Sequence, residues 1–262
     1  MKFIGICYDA GTRYSKSYST KVNISKAEFI SHLDYLRFLG FNSIRLMGSE
    51  TKGLIKLGRI ILENNFNLFI SPRFINFNNA KIKKGLISIL KSISGNNIKV
   101  HLILGNELSL DSSIVFNNTR YDERLITINT LLKSNDNDEM KRINEKLNIH
   151  IKQYSELCRK LCKCKIIYAS AGFEAIEEDK FDYIGINKYF NKKNINHYQK
   201  EVINISKKGK IIITEFGCPT YKNGWIYGGN AWYIARMRKV ERSEDEQAKS
   251  IKSRYKKKNS ET

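Results

Sequence analysis

The chain has 262 residues, 41% of them hydrophobic, and a formal charge of +20. That length suits one large domain or two small ones, and the apolar fraction is enough to bury a substantial core. The charge invites a polyanionic partner. Yet the lysines are scattered over a background rich in Asn and Ile, with one dense cluster in "RYKKKNS". No zinc-finger, helix-turn-helix or RNP pattern accompanies them, so no specific nucleic-acid partner is expected, only weak, salt-sensitive attraction.

In chain order, "FIGICYD" (3–9) reads as a first strand ending in Asp9. Its apolar run breaks at Tyr8-Asp9, too short for a signal peptide. "YDAGTRYSKSYS" follows as a tyrosine-rich loop. "KAEFISHLDYLRFLG" (26–40) has the Phe29, Leu33, Leu36 stripe and terminal Gly40 of a core-facing helix. "SIRLMG" (43–48), with Arg45, is the second strand, "KGLIKLGRIILENN" (52–65) a helix, and "NLFISPRF" (67–74), with Arg73, the third strand. "KKGLISILKSIS" (83–94) is helical, and "KVHLILGNE" (99–107) is a fourth strand with His101 packed in the core and Asn106-Glu107 at its end.

The segment "SLDSSIVFNNTRYDERL" is long for a strand-to-helix connection and is a candidate substrate-contacting loop. A helix over 138–162 leads to "KIIYASAGF" (165–173), a short helical candidate near 174–180, "YIGINKYF" (183–190) with Tyr189, another helical candidate at 195–207, and "KIIITEFG" (210–217) with Glu215. Trp225 and Trp232 fall in the loop beyond. Three of the five cysteines, Cys158, Cys162 and Cys164, sit together, but without a nearby fourth ligand. Reduced, mostly buried thiols are expected rather than a disulfide framework or a metal site. No HxH or HExxH occurs, no cofactor is expected, and no apolar stretch is long enough for a membrane span, so a cytoplasmic protein is expected.

Strand alternating with helix, with nearly continuous apolar strands, implies parallel strands covered by helices. The choice lies between an open doubly wound sheet and a (β/α)8 TIM barrel. No GxGxxG or GxxxxGK[ST] follows any strand, which disfavours a nucleotide-binding sheet. Asp9, Arg45, Arg73, Glu107, Tyr189 and Glu215 all read as lying at or just past strand C-terminal ends, where a barrel would gather them at one mouth. The expected fold is therefore a TIM-barrel-like α/β domain over 1–243, followed by a last helix and basic tail over 244–262.

Two carboxyls facing one another are what glycosidic cleavage needs: one protonates the leaving oxygen while the other attacks or activates water. Against this stands the plainer reading of a strand-end Glu paired with an Arg, for which Arg45 is available. "GNE" closing strand 4 and "TEFG" closing strand 7 resemble the clan A glycoside hydrolases. That resemblance implies Glu107 as acid/base and Glu215 as nucleophile. It also implies Arg45, from "NSIRL", as support for the nucleophile, Tyr189, from "INKYF", as its contact, and Asn106 as the holder of a sugar 2-hydroxyl. "YDAGT", "GNELSL", "DERL" and "TEFGCPTY" are similar to barrel proteins labelled abortive-infection or phage-resistance proteins.

After "TEFGCPTYKNGWIYGGNAWYIARM" the sequence turns polar, "RSEDEQAKSIKSRYKKKNSET" starts like the seventh helix, and no eighth strand or helix is legible. A barrel short of a strand leaves two open edges, which oligomerisation could cover. The reading that follows is a retaining hydrolase of β-linked glycosides with a carbohydrate substrate. Its rival is a catalytically degenerate barrel that binds carbohydrate or a protein partner, in phage defence for example. A polyanion-binding protein is the third reading.

Overall fold

A computed structural model describes residues 3–15, 18–20, 23–94, 99–116, 120–134, 136–194, 196–207 and 209–256. It divides the chain into two compact units, Met1–Gly185 and Ile186–Thr262. The basic cluster at the C-terminus falls largely outside the described residues.

The strands are β1 (Gly5–Asp9), β2 (Ser43–Gly48), β3 (Asn67–Pro72), β4 (Val100–Asn106), β5 (Lys165–Ser170), β6 (Tyr183–Asn187) and β7 (Ile211–Glu215). They are parallel and ordered β1-β2-β3-β4-β5-β6-β7, and no eighth strand occurs among the described residues. A doubly wound sheet reverses its strand order partway, whereas here every connection steps the same way, as in a TIM barrel. The fold is TIM-barrel-like, with seven strands among the described residues.

In the first unit α1 (Lys26–Phe38) starts at a capping box: Glu28 N–H donates to Ser25 Oγ at 3.1 Å, and Ser25 N–H to Glu28 Oε2 at 2.9 Å. Its buried stripe of Phe29, Leu33 and Leu36 joins residues of α2 (Thr51–Glu63), α3 (Asn79–Ile89) and α6 (Asn137–Leu161) in one core. The strand residues that meet this layer alternate: Ile44 and Leu46, Leu68 and Ile70, Leu102 and Leu104, Ile166 and Tyr168. Period-two alternation sends Arg45, Phe69, Ser71 and His101 to the other face. His101 is buried there, stacked on Phe69 at 4.4 Å, and burial pushes its pKa down.

One irregularity changes what β4 presents. Ile103 pairs with Ile167 but Asn106 pairs with Ala169, so β4 carries one extra residue across that step. Strict alternation would send Asn106 with Leu102 and Leu104 toward the helices. The bulge turns it onto the face of Arg45 instead.

Several elements differ from expectation. The segment after Glu107 is not one long loop, because it contains the four-residue α4 (Leu108–Asp111) and the helix α5 (Tyr121–Ser134). The apolar stripe of α5 is interrupted by a buried Arg124, which hides its helical period. That guanidinium donates to Leu110 O at 2.6 Å, Asn76 Oδ1 at 2.8 Å and Asp111 O at 3.0 Å. Near 174–180 only a 3-10 turn, Glu178–Lys180, forms. Cys162 and Cys164 form a disulfide rather than two thiols. Helix α6 ends at Leu161, and the extended backbone at Cys162 leaves the two cysteine Cα atoms 5.3 Å apart. Cys158, by contrast, is a free buried thiol, pushed up to about 12 by burial.

The second unit holds α7 (Tyr198–Ser206), a 3-10 segment Gly224–Asn230, α8 (Ala231–Met237) and α9 (Glu244–Lys256). Phe190, Tyr198 and Cys218 form its small core, with Trp225, Val202 and Ile251 packed on it. No helix among the described residues is long and apolar enough to cross a membrane.

Candidate functional site

The end of β4 is built from "GNEL". A Cβ on Gly105 would stand 2.5 Å from Leu108 Cγ, so Leu108 can fold back over the strand only because position 105 is glycine. Glu107, between them, adopts left-handed backbone at φ 46° and ψ 52°. Non-glycine residues adopt that region at a cost of roughly 1–3 kcal/mol, which the surroundings must override.

The surroundings do so with a chain of hydrogen bonds. Glu107 N–H donates to Ala169 O at 2.9 Å, and Leu108 N–H donates to Tyr168 Oη at 3.0 Å. Ser109 gives both its N–H (3.2 Å) and its hydroxyl (2.5 Å) to Glu174 Oε1. Tyr168 donates to the same oxygen at 3.1 Å, and Ala171 N–H reaches Oε2 at 3.1 Å. Burial drives the Glu174 carboxyl up and these donors pull it back, leaving it raised to about 7. Tyr168 is pushed well above the ordinary tyrosine range, first by burial and then by Glu174, with Glu107 adding to the shift. Tyr121 rises chiefly through burial, with Asp111 and, more weakly, Glu107 contributing.

Arg45 stands mid-strand, third of the six residues of β2, not at its C-terminal end. Its guanidinium nevertheless spans from there to the end of β4. It donates to Asn106 Oδ1 at 2.7 Å and to Ser71 Oγ at 3.1 Å. Arg73 follows β3 and forms a buried two-point ion pair with Asp111, at 2.5 and 2.8 Å. It also lies 5.7 Å from the centre of the Tyr14 ring, which stacks with Tyr18. Asp9 is drawn into its own loop, accepting from Gly11 N–H and Thr12 Oγ at 2.9 Å and from Thr20 Oγ at 2.6 Å. Arg45 and Asn106 are thus brought together, while Asp9 and Arg73 are engaged with loop and helix partners.

In the second unit Glu215 closes β7 and is half-buried. Tyr189 donates its hydroxyl to Glu215 Oε2 at 2.8 Å, and Lys188 N–H donates to the Glu215 carbonyl at 2.8 Å. Just below, Thr214 Oγ donates to Asn187 Oδ1 at 2.8 Å, tying the ends of β6 and β7 together. Tyr189 is itself held, because its carbonyl accepts from Asn194 Nδ2 at 3.0 Å. Trp225 is half-buried against the Phe190 and Tyr198 cluster. Trp232 lies on α8, and its side chain falls outside the described residues. Both positions therefore belong to helical segments rather than a loop.

Sequence reasoning passed over Glu174, Tyr168 and Asp111. The one available signal was an acidic residue a few positions beyond a strand, in "SAGFEA", where Glu174 was read as part of a helix. No group of three or more His, Cys, Asp and Glu side chains suited to a metal occurs among the described residues.

No family model matches the chain, and no curated protein is found similar to it. Solved structures do resemble it. A complex of a GH113 beta-1,4-mannanase superposes with a TM-score of 0.59 at 11% identity, over 100% of this chain and 86% of the other. A second GH113 beta-1,4-mannanase gives 0.57 at 10% identity, over 90% and 79%. A calcium-binding mutant of Bacteroides uniformis beta-glucuronidase 2 gives 0.54 at 12% identity, over 84% of this chain and 25% of that one. At 12% identity or less the likeness is one of fold, and the fold is a TIM-barrel-like scaffold that solved glycoside hydrolases share.

Proposed function

We propose that the protein is a retaining glycoside hydrolase of β-linked glycosides or oligosaccharides, with Glu107 as acid/base and Glu215 as nucleophile. The observation that carries this reading is the Tyr189 hydroxyl on Glu215 Oε2 at 2.8 Å. A phenol donating to one oxygen helps to hold a carboxylate in orientation for attack on the anomeric carbon. In the first step Glu215 bonds to that carbon as Glu107 protonates the departing oxygen. Water, deprotonated by Glu107, then releases the sugar with retained configuration. Asn106, held by Arg45 at 2.7 Å, is assigned to the sugar 2-hydroxyl. Trp225 and Trp232 are candidates for sugar contacts. The mechanism requires the two carboxyls to stand roughly 5 Å apart.

The test is mass spectrometry of the intact protein after incubation with deoxyfluoro glycosides, which trap retaining nucleophiles. The panel should include β-mannosides, because two similar folds belong to beta-1,4-mannanases. An adduct mapped to Glu215, absent from Glu215→Gln, is the expected result. No adduct on folded protein would end the reading.

A second reading, a barrel that binds carbohydrate or a protein partner without cutting it, draws on the seven-stranded sheet. A sheet edge left unpaired would loosen a scaffold that must hold a catalytic pair. Sugar binding without turnover would favour it, and the phage-defence likeness belongs with this reading.

A further inference from the structure

This inference rests on the role given to Glu107 above and concerns what aims that group. Glu174 is buried four residues beyond the end of β5. Its Oε1 gathers the Ser109 hydroxyl, the Ser109 N–H and the Tyr168 hydroxyl, and its Oε2 takes Ala171 N–H. The Tyr168 oxygen also accepts from Leu108 N–H. One carboxyl therefore controls, directly or through one phenol, the backbone amides of both residues that follow Glu107. Glu107 N–H is fixed from the other side by Ala169 O. Left to itself, the left-handed backbone at Glu107 would relax toward the ordinary helical or extended regions, and its side chain would swing with it.

We propose that Glu174 is a positioning residue which, through Ser109 and Tyr168, holds the left-handed turn that aims the Glu107 carboxyl at the leaving-group oxygen. Glu174 touches no substrate in this role. A buried carboxylate suits the task because it offers several lone pairs in one place, whereas an amide presents one acceptor and one donor edge. Glu174→Gln keeps the shape and places an N–H2 group against either the Ser109 donors or the Ala171 N–H.

The test compares wild type, Glu174→Gln and Tyr168→Phe on pairs of β-mannosides and β-glucosides. One member carries a dinitrophenyl group, which departs without protonation, and the other a methyl group, which needs the acid. With the acid misaimed, kcat/KM of Glu174→Gln should fall roughly 10²-fold on the methyl glycoside and less than about threefold on the dinitrophenyl one. Tyr168→Phe should show the same split, smaller in size. Equal losses on both substrates would mean only a smaller active fraction and would overturn the proposal, as would no loss.

If wild type cleaves neither substrate, the hydrolase reading fails and the turn is judged by residue-resolved amide exchange. Glu174→Gln should then speed exchange at Leu108 and Ser109 by at least about tenfold, with β2 amides unchanged. Unchanged rates at Leu108 and Ser109 would overturn the positioning role. Should Glu174→Gln fail to fold, Tyr168→Phe carries both readouts.

Discussion

The ends of β4 and β7 each carry a glutamate, and the two are supported by opposite means. At β4 every residue of the strand is buried, Glu107 sits in strained backbone, and buried polar side chains hold the turn beyond it. At β7 only Thr214 is buried, Ile213 is 40% exposed, and the Tyr189 hydroxyl donates to Glu215 Oε2. The first arrangement fixes a direction through the main chain, whereas the Tyr189 hydroxyl acts on the Glu215 carboxyl itself. In the proposed mechanism the acid/base serves two steps in two protonation states, so a rigid mount would suit it, whereas the nucleophile must present a carboxylate oxygen to the sugar.

The sharpest way to break this contrast is to remove a buried partner behind β4. Asp111→Ala leaves Arg73 buried without its two-point partner and should cost about 3–5 kcal/mol in urea unfolding. A loss under 1 kcal/mol would mean that water reaches the pair.

Next comes pH. Glu174 is raised to about 7, above its ordinary carboxylate value. A raised acid binds more protons folded than unfolded, so its contribution is fully present below the unfolded pKa and is lost as pH rises toward about 7. Wild type should lose at most about 3 kcal/mol relative to Glu174→Gln over that window, read by urea titrations at several pH values. A difference that does not change with pH would show that Glu174 stays ionised.

Paired glycine substitutions sharpen the comparison further. Gly105→Ala drives a Cβ into Leu108 and should destabilise by about 1–3 kcal/mol. Gly229→Ala meets the Tyr189 ring at 3.2 Å, and a half-buried ring can shift. It should cost about 0.5 kcal/mol or less, as a surface change does. Equal thermal shifts would contradict the difference drawn here.

Tyr189→Phe should also cost little stability, staying within about 1 kcal/mol of wild type, because the bond it removes is partly solvated. Its effect belongs in kcat, with the rate of adduct formation on Glu215 falling at least about tenfold. An unchanged trapping rate would remove Tyr189 from the site.

Much of the scaffold was legible from local pattern. Runs such as "SIRLMG" and "NLFISP" are mostly apolar because both faces of β2 and β3 are buried, and each strand is found within its expected segment. The positions of Glu107 and Glu215 at strand ends could be read because a charged residue interrupts an apolar run abruptly. Helix α5 could not be read, since Arg124 is buried where the pattern calls for an apolar residue.

By itself the sequence determined the alternation of strands and helices, the parallel sheet, and the place of Glu107 and Glu215 at strand ends, because hydrophobic periodicity is set by neighbours along the chain. Only the tertiary structure decided which polar residues are buried and what they face. Arg73 finds Asp111 across 38 residues, Arg45 finds Asn106 across 61, and Ser109 finds Glu174 across 65. The extra residue in β4 that turns Asn106 toward Arg45, and the left-handed turn at Glu107, follow from those long-range pairings. A buried polar group is stable only where a partner from a distant element meets it, and local periodicity carries no record of that partner.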